Sequence, residues 1–269
     1  KKFQVYADIA ASAQKVLEEL LFLILKHAHQ LTKERKFLLS GGVAMNSSAI
    51  RKCAELEFID ELNLPPSPGD SGAAIGASYY GFLKEANIKK EISISKNNIK
   101  TNLFPGKLNS EEGFFELVFD KIADKENFIE ETSKLIAKNE IIATCYGDIE
   151  TGPRALGHRS LICNAHNAEL IKKLSTEIKK RNLFRPTAPV ILKKNAEKYF
   201  YLEKSLANCY LHMATTAKPK ESILNDIKGV IHIDNSSRVQ ICEEDQLLGK
   251  ILSNLEKSDI YLIANTSFN

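Results

Sequence analysis

No paired cysteine motif, no bilayer-length apolar run, no signal-peptide pattern and no dominant charge of one sign is found in this sequence of 269 residues. Each absence excludes a class of protein. The five cysteines, Cys53, Cys145, Cys163, Cys209 and Cys242, are odd in number, far apart and free of any CxxC spacing. A disulfide framework is therefore not expected, and reduced thiols in a cytoplasmic protein are. The apolar run Leu20–Leu25 is too short to cross a membrane and is flanked by Glu18, Glu19 and Lys26. A net charge of +3, with 26% charged residues, gives no case for a nucleic-acid or membrane partner. There is no internal repeat, no low-complexity tract and no convincing Ser–His–Asp or Cys–His constellation. The chain starts at Lys1 in what reads as the middle of a unit and stops at Asn269 just after an apolar segment, so truncation at both ends is expected.

What the sequence has instead is arginine held around fixed turns. Arg154 and Arg159 bracket the turn GPRALGHRS at Gly152–Ser160, and Arg185 follows in FRPTAP. A guanidinium is permanently charged and offers a planar fork of donors that suits phosphate and carboxylate oxygens. Gly152, Pro153 and Gly157 punctuate the segment that presents two of these forks. A preformed anion site explains that wording better than a plain surface turn, whose arginines need no fixed backbone around them.

Asp8–Gln30 carries apolar residues at helical spacing and reads as a well-buried helix. Phe37–Leu39 reads as a short strand that runs into Ser40, Gly41 and Gly42, with a helix from about Asn46. Strand, glycine turn and helix N-terminus in that order make a phosphate cradle, although a tight turn without ligand explains the glycines equally well. The proline-rich stretch 63–68 delivers Asp70 to the start of a small-residue helix over Ala73–Leu83, where it is either a cap or a ligand for a metal or nucleotide-bound magnesium. Residues 85–109 have the composition of a boundary. Beyond it, Phe128–Lys138, Ala168–Lys180 and Leu247–Asn254 read as helices. Ile141–Tyr146, Val190–Leu192, Leu206–Met213, Val230–Ile233 and Ile260–Ala264 read as strands. The alternation argues for an α/β fold in both units.

Lys179 and Arg181 stand behind the three arginines, or else on an exposed helix face. Asn265, Ser267 and Asn269 follow the last strand, a usual place for ligand contacts in α/β folds. His232, Asp234 and Arg238 form a second polar cluster or a simple Asp234–Arg238 ion pair. His158, between two arginines, reads as a structural histidine.

Taken together, LSGGVAMN at 39–46, PPSPGDSGAAIGA at 65–77, ETGPRALGHRS at 150–160, FRPTAPVIL at 184–192, HIDNSSRVQ at 232–240 and NTSFN at 265–269 resemble the nodulation-protein-U type O-carbamoyltransferases. The resemblance extends over almost the whole chain. Thr151 stands where that family usually has an aromatic residue, Asn235-Ser236 replaces a common Gly-Thr, and Ser175 and Asn182 replace Asn and Glu. These departures bear on fine specificity more than on reaction class.

The resemblance implies part of an actin-like (ASKHA) ATPase-type domain at 1–90, a linker at 91–107, and a YrdC-like α/β domain at 108–269. It implies that the YrdC-like part converts carbamoyl phosphate and ATP, with Mg2+, into carbamoyl adenylate and pyrophosphate. The actin-like part then passes the carbamoyl group to a hydroxyl of a sugar or other small acceptor and releases AMP. Arg154, Arg159 and Arg185 are implied at the anionic centre. Gly41, Gly42, Asn46, Lys179, Arg181, Asn265, Ser267 and Asn269 are implied around nucleotide and carbamoyl phosphate. Asp70 matches the aspartate of a transfer-site metal, Fe2+ or a similar divalent ion. The two histidines that complete that metal site lie in an HxxxH element absent here, since His27 and His29 have the wrong spacing. Two alternatives remain at this point: an actin-like small-molecule kinase, and a nucleotide-binding fragment incomplete for catalysis.

Overall fold

A single helix, α1, runs from Lys2 to Thr32 and packs on α2 (Ser47–Ala54). Its periodicity is as expected but its surroundings are not. Glu18 and Leu25 are buried, whereas Val16, Leu20, Leu23, Ile24 and Leu31 are exposed. A helix apolar around most of its circumference predicts cover on every side, and here α2 covers one. The computed structural model of the chain describes residues 2–85, 124–182, 184–185 and 187–268. The expected linker and the start of the second domain lie outside the described residues.

Strands β1 (Lys36–Leu38) and β2 (Glu61–Asn63) pair in parallel across the connection that holds α2. Gly41, at φ +102°, turns the chain and donates its N–H to the Pro68 carbonyl at 2.6 Å. Asn46 caps α2 by accepting the Ala49 N–H at 3.1 Å, as an N-cap asparagine should. Helix α3 (Asp70–Glu85) then begins at Asp70 itself and leaves Ile75, Tyr79, Tyr80 and Phe82 exposed.

The second part is built on a five-stranded mixed sheet. Helix α4 (Lys125–Ala137) leads into β3 (Ile142–Cys145) and β4 (Arg159–Asn164), followed by α5 (Ala168–Lys173), β5 (Ala188–Leu192) and α6 (Lys193–Tyr199). A short ribbon of β6 (Phe200–Tyr201) and β7 (Lys218–Pro219) precedes α7 (Glu221–Leu224), β8 (Gln240–Cys242), α8 (Leu247–Leu255) and β9 (Leu262–Ser267). The sheet order is β3-β4-β9-β5-β8. Only the β5–β8 pair is parallel.

Several sequence expectations are corrected here. Leu206–Met213 is not a strand but part of a 3-10 helix, Lys204–His212. Its buried Leu206, Cys209, Tyr210 and Met213 fall at helical spacing, which a short apolar run does not separate from strand patterning. Val230–Ile233 is no strand either: a 3-10 turn ends at Val230 and Ile233 is fully exposed. Strands β4 and β8 were not foreseen. The expected helix 168–180 is interrupted, because α5 passes into a π-helical turn, Leu174–Ile178, and Lys180 is left-handed at φ +48°. Asn265 and Ser267 lie inside β9 rather than after it.

Helices α4 and α8 pack together and fill one apolar cluster with Ile129, Ile136, Ile162, Val190, Leu248, Ile251, Leu252 and Ile263. A larger cluster joins the two parts: Ile50 and Leu62 belong to the same core as Leu161, Leu206, Tyr210 and Leu262. Polar contacts run with it, as Asn208 Nδ2 donates to Asn63 Oδ1 at 3.2 Å and the Cys209 thiol approaches the Leu62 carbonyl at 3.4 Å. All five cysteines are free, and burial pushes the Cys53, Cys163 and Cys242 thiols up to about 12. Among the described residues no helix is long and apolar enough to cross a membrane.

Candidate functional site: an arginine-lined cleft

The arginine turn connects β3 to β4, and a carboxylate absent from the sequence expectations shapes it. Glu150 has a side chain only 1% exposed. Its Oε1 accepts the backbone N–H groups of Leu156 at 3.1 Å, His158 at 2.8 Å and Arg159 at 2.9 Å. Its Oε2 accepts Arg159 Nε at 3.1 Å. Burial alone would raise the pKa of this carboxyl, but the amides and the guanidinium together hold it below its ordinary value.

Other backbone groups of the turn are also held. Gly157 N–H donates to Ser160 Oγ at 2.9 Å, and Thr144 Oγ1 donates to the Gly157 carbonyl at 2.9 Å. Tyr146 N–H donates to the His158 carbonyl at 2.9 Å. Asn265 Nδ2 donates to the Ala155 carbonyl at 2.8 Å, and Gln240 Nε2 to the Leu156 carbonyl at 3.1 Å. Gly152, at φ +88°, sits where a Cβ would come within 2.0 Å of the Pro66 carbonyl oxygen. The turn is thus fixed from β3, β8, β9 and the proline-rich loop of the first part. Its amides from Leu156 to Arg159 are already bonded, so those four are not free to meet an anion.

Those side chains face a cleft of about 910 Å3 whose walls come from both parts of the chain. Lys15, Lys52, Arg154, Arg181, Arg185 and Arg238 line it, against Glu18 and Asp234. Glu18, nearly buried, is held by Lys52 at 2.6 Å and by Gln14 at 2.8 Å. Asp234 accepts from Ser236 Oγ at 2.6 Å. The sequence alternative of an Asp234–Arg238 ion pair does not form. Arg238 instead reaches across to Ser47 Oγ, from Nη2, at 3.2 Å. Among the described residues, none of Arg154, Arg181, Arg185 and Arg238 has a carboxylate partner.

The electrostatic consequence is that the pKa values of Arg154, Arg181 and Arg238 are depressed. Burial, with Arg154 and Arg185 nearby, depresses Arg238 to about 10. Burial lowers Arg154, and burial with Arg185 lowers Arg181. Like charges are held together in a partly dry site, which favours a multiply charged anion between them. His232 also lines the cleft, and burial, aided by Arg238, lowers its pKa against the pull of Asp234. Phe184 and Ile233 leave apolar surface exposed on the same walls.

The expected site residues divide accordingly. Arg154, Arg185, Arg181, Asn265 and Ser267 meet in the cleft. Arg159 does not line it; its guanidinium braces Glu150. Lys179 lies behind it, donating to the Ser267 and Phe268 carbonyls and so anchoring the end of β9. Burial and Arg181 depress Lys179 to about 8. Gly41 and Gly42 are off the cleft, and the Asn46 amide is occupied by its capping bond and by Gln14. Asn269 lies outside the described residues. Asp70 is exposed in the first turn of α3, and no group of three or more His, Cys, Asp or Glu side chains able to hold a metal occurs among the described residues.

Of the contributors missed in the sequence, Lys52 and Glu18 sit on helices with ordinary i, i+4 charge patterns, and nothing local marks them. Glu150 carried a signal, as an acid two residues before the Gly152-Pro153 pair that opens the arginine turn.

A rigid turn and four guanidiniums with no carboxylate partner among the described residues, on an α/β scaffold, make a cleft that suits an anion. The chain belongs to the carbamoyltransferase family: residues 133–269 match the carbamoyltransferase C-terminus and residues 1–79 the carbamoyltransferase N-terminus. An uncharacterized protein of Methanocaldococcus jannaschii is 30% identical over 97% of this chain and 43% of its own length. Nodulation protein U of Sinorhizobium fredii is 29% identical over 97% of this chain and 45% of its own length. The chain therefore spans less than half the length of these relatives. A crystal structure of full-length HypF in its phosphate- and nucleotide-bound form aligns with a TM-score of 0.36 at 19% identity, over 56% of this chain and 18% of that one.

Proposed function

We propose that the cleft activates a carbamoyl group for transfer to a hydroxyl, so that the protein is an O-carbamoyltransferase using carbamoyl phosphate and ATP. The observation that carries this reading is the set of four guanidiniums on one cleft that have no carboxylate partner among the described residues. Carbamoyl phosphate and the ATP triphosphate repel each other: two unit charges 4 Å apart at an effective dielectric of about 20 oppose one another by about 4 kcal/mol. Arg154, Arg181, Arg185 and Arg238 offset that repulsion without any nucleophilic side chain.

Atom balance requires one water. It splits carbamoyl phosphate into carbamate and inorganic phosphate. A carbamate oxygen then bonds to the α-phosphorus of ATP while the α–β bridging P–O bond breaks, giving carbamoyl adenylate and pyrophosphate. In the transfer step the acceptor hydroxyl bonds to the carbamoyl carbon and loses its proton, and AMP leaves. Mg2+ arrives with ATP. Phe184 and Ile233 offer apolar surface for a nucleobase face. A transfer-site divalent metal at Asp70 would draw its other ligands from outside the described residues. The acceptor, a sugar or other hydroxylated small molecule, is bound in the actin-like part in this reading, and the cytoplasm is the proposed compartment.

The test is carbamoyl-phosphate-dependent exchange of labelled pyrophosphate into ATP by the full-length protein. Exchange is expected, and Arg154→Ala and Arg185→Ala are expected to lower it by at least 100-fold, about 2.7 kcal/mol in transition-state terms. Absence of exchange in the unsubstituted protein, or ADP formation with an acceptor instead, overturns the reading.

A further inference from the structure

The cleft is rich in donors, yet two buried side-chain oxygens of its lining residues have no hydrogen-bond partner among the described residues. Asn265 is 1% exposed and Thr187 3% exposed, and both line the cleft. The Asn265 amide cannot turn over freely, because its Nδ2 donates to the Ala155 carbonyl and to Gln240 Oε1, each at 2.8 Å. That fixes Oδ1 as the acceptor end, and Oδ1 has no hydrogen-bond partner. Thr187 Oγ1 likewise has none. Both belong to the same end of the sheet: Ala188 pairs with Asn265 in the β5–β9 register, and Thr187 directly precedes it.

Buried polar atoms left unmade are rare and costly, and each asks for an explanation. Guanidiniums need acceptors and are answered by anionic oxygens. Asn265 Oδ1 can only accept, and the Thr187 hydroxyl can accept as well as donate, so both can take a ligand N–H. The ligand that fits both demands is a small phosphate carrying a neutral amide nitrogen. We propose that Thr187 Oγ1 and Asn265 Oδ1 read the –NH2 of the carbamoyl group, and thereby select carbamoyl phosphate over acetyl phosphate, which carries a methyl in that place. This rests on the carbamoyl phosphate reading above and adds the residues that enforce its specificity. A site built to bond an N–H rejects the analogue without one, because its own acceptors then stay unpaired.

The test is direct binding, which does not depend on turnover. Carbamoyl phosphate and acetyl phosphate are titrated calorimetrically into the full-length protein and into Thr187→Val, Thr187→Ser and Thr216→Val. Thr216 is a second fully buried hydroxyl without a partner, away from the cleft walls. The unsubstituted protein is expected to prefer carbamoyl phosphate by roughly 10- to 100-fold. Thr187→Val should reduce that preference to within about threefold through weaker carbamoyl phosphate binding alone. Thr187→Ser and Thr216→Val should keep it. Equal affinity for the two ligands in the unsubstituted protein, or an unchanged preference in Thr187→Val, overturns the inference. Preference without pyrophosphate exchange sustains it and overturns only the activation chemistry. Binding of neither ligand overturns both.

Discussion

Removing Glu150 should damage the protein far more than removing any of the arginines around it. Glu150→Ala leaves the amides of Leu156, His158 and Arg159 without their acceptor in a place nearly closed to water. Each buried group left unmade costs about 1–3 kcal/mol, so three set a range of roughly 3–9 kcal/mol. The lower half of that range is expected, because alanine leaves room for water. Even so, it is a large share of a typical stability of about 5–15 kcal/mol. Glu150→Gln keeps an acceptor for the three amides but loses the charge and the Arg159 pairing, and should cost about 1–3 kcal/mol. Arg159→Ala, by contrast, removes a half-exposed partner and should cost no more than about 1 kcal/mol.

The pH dependence separates charge from shape. The folded pKa of Glu150 lies below its ordinary value of 4.5. Its contribution is therefore complete above that value and is lost as pH falls through the folded pKa. The gap in unfolding free energy between the natural protein and Glu150→Gln should be widest at neutral pH and close on acidification. Urea denaturation from pH 7 to pH 3 measures it. A cost for Glu150→Ala under about 1 kcal/mol, or a Glu150→Gln gap that does not narrow with acid, refutes the reasoning.

Gly152→Ala is expected to cost about 2–4 kcal/mol, because the residue is left-handed and the new methyl meets the Pro66 carbonyl at 2.0 Å; urea midpoints that match the natural protein would count against this. Gly76→Ala, in α3 with nothing within 4 Å of the added carbon, should stabilise by about 0.5–1 kcal/mol in the same assay. Arg238→Met relieves repulsion with Arg154 and Arg185, so the ligand-free melting temperature should rise by roughly 1–3 °C while pyrophosphate binding weakens about tenfold; a lower melting temperature with unchanged affinity contradicts it. Pyrophosphate affinity of the natural protein should also fall steeply between 50 mM and 500 mM salt, by calorimetry, since charge dominates the contact.

Elements with strong local signals were legible in the sequence. Asn46 announces α2 through its cap, and the apolar spacing of α4 and α8 places them within a few residues. β4 was hidden because its polar start, Arg159-Ser160, belongs to the arginine turn, and only its pairing with β3 and β9 makes it a strand. β8 is three residues long and owes its conformation to β5. The burial of α1 was misjudged because composition reports what a helix needs, not what covers it. At the site, Arg154 and Arg185 were legible from charge beside turn residues. The weight of Arg238 and Glu150 was not, because it comes from contacts with residues far along the chain or from backbone amides, neither of which has a letter in the sequence.

The contacts across the two parts have a thermodynamic meaning. Arg238 bonds to Ser47, Gly152 sits against Pro66, and Lys15 and Lys52 face the arginines over the same space. A ligand in that space touches both walls, so its binding free energy and the free energy that holds the walls together are one coupled quantity. By reciprocity, whatever factor the ligand adds to the docking of α1 and α2 on the sheet, that docking adds to ligand affinity. Substitutions in the Pro66–Gly152 contact should therefore appear as changes in anion affinity without any cleft residue being altered.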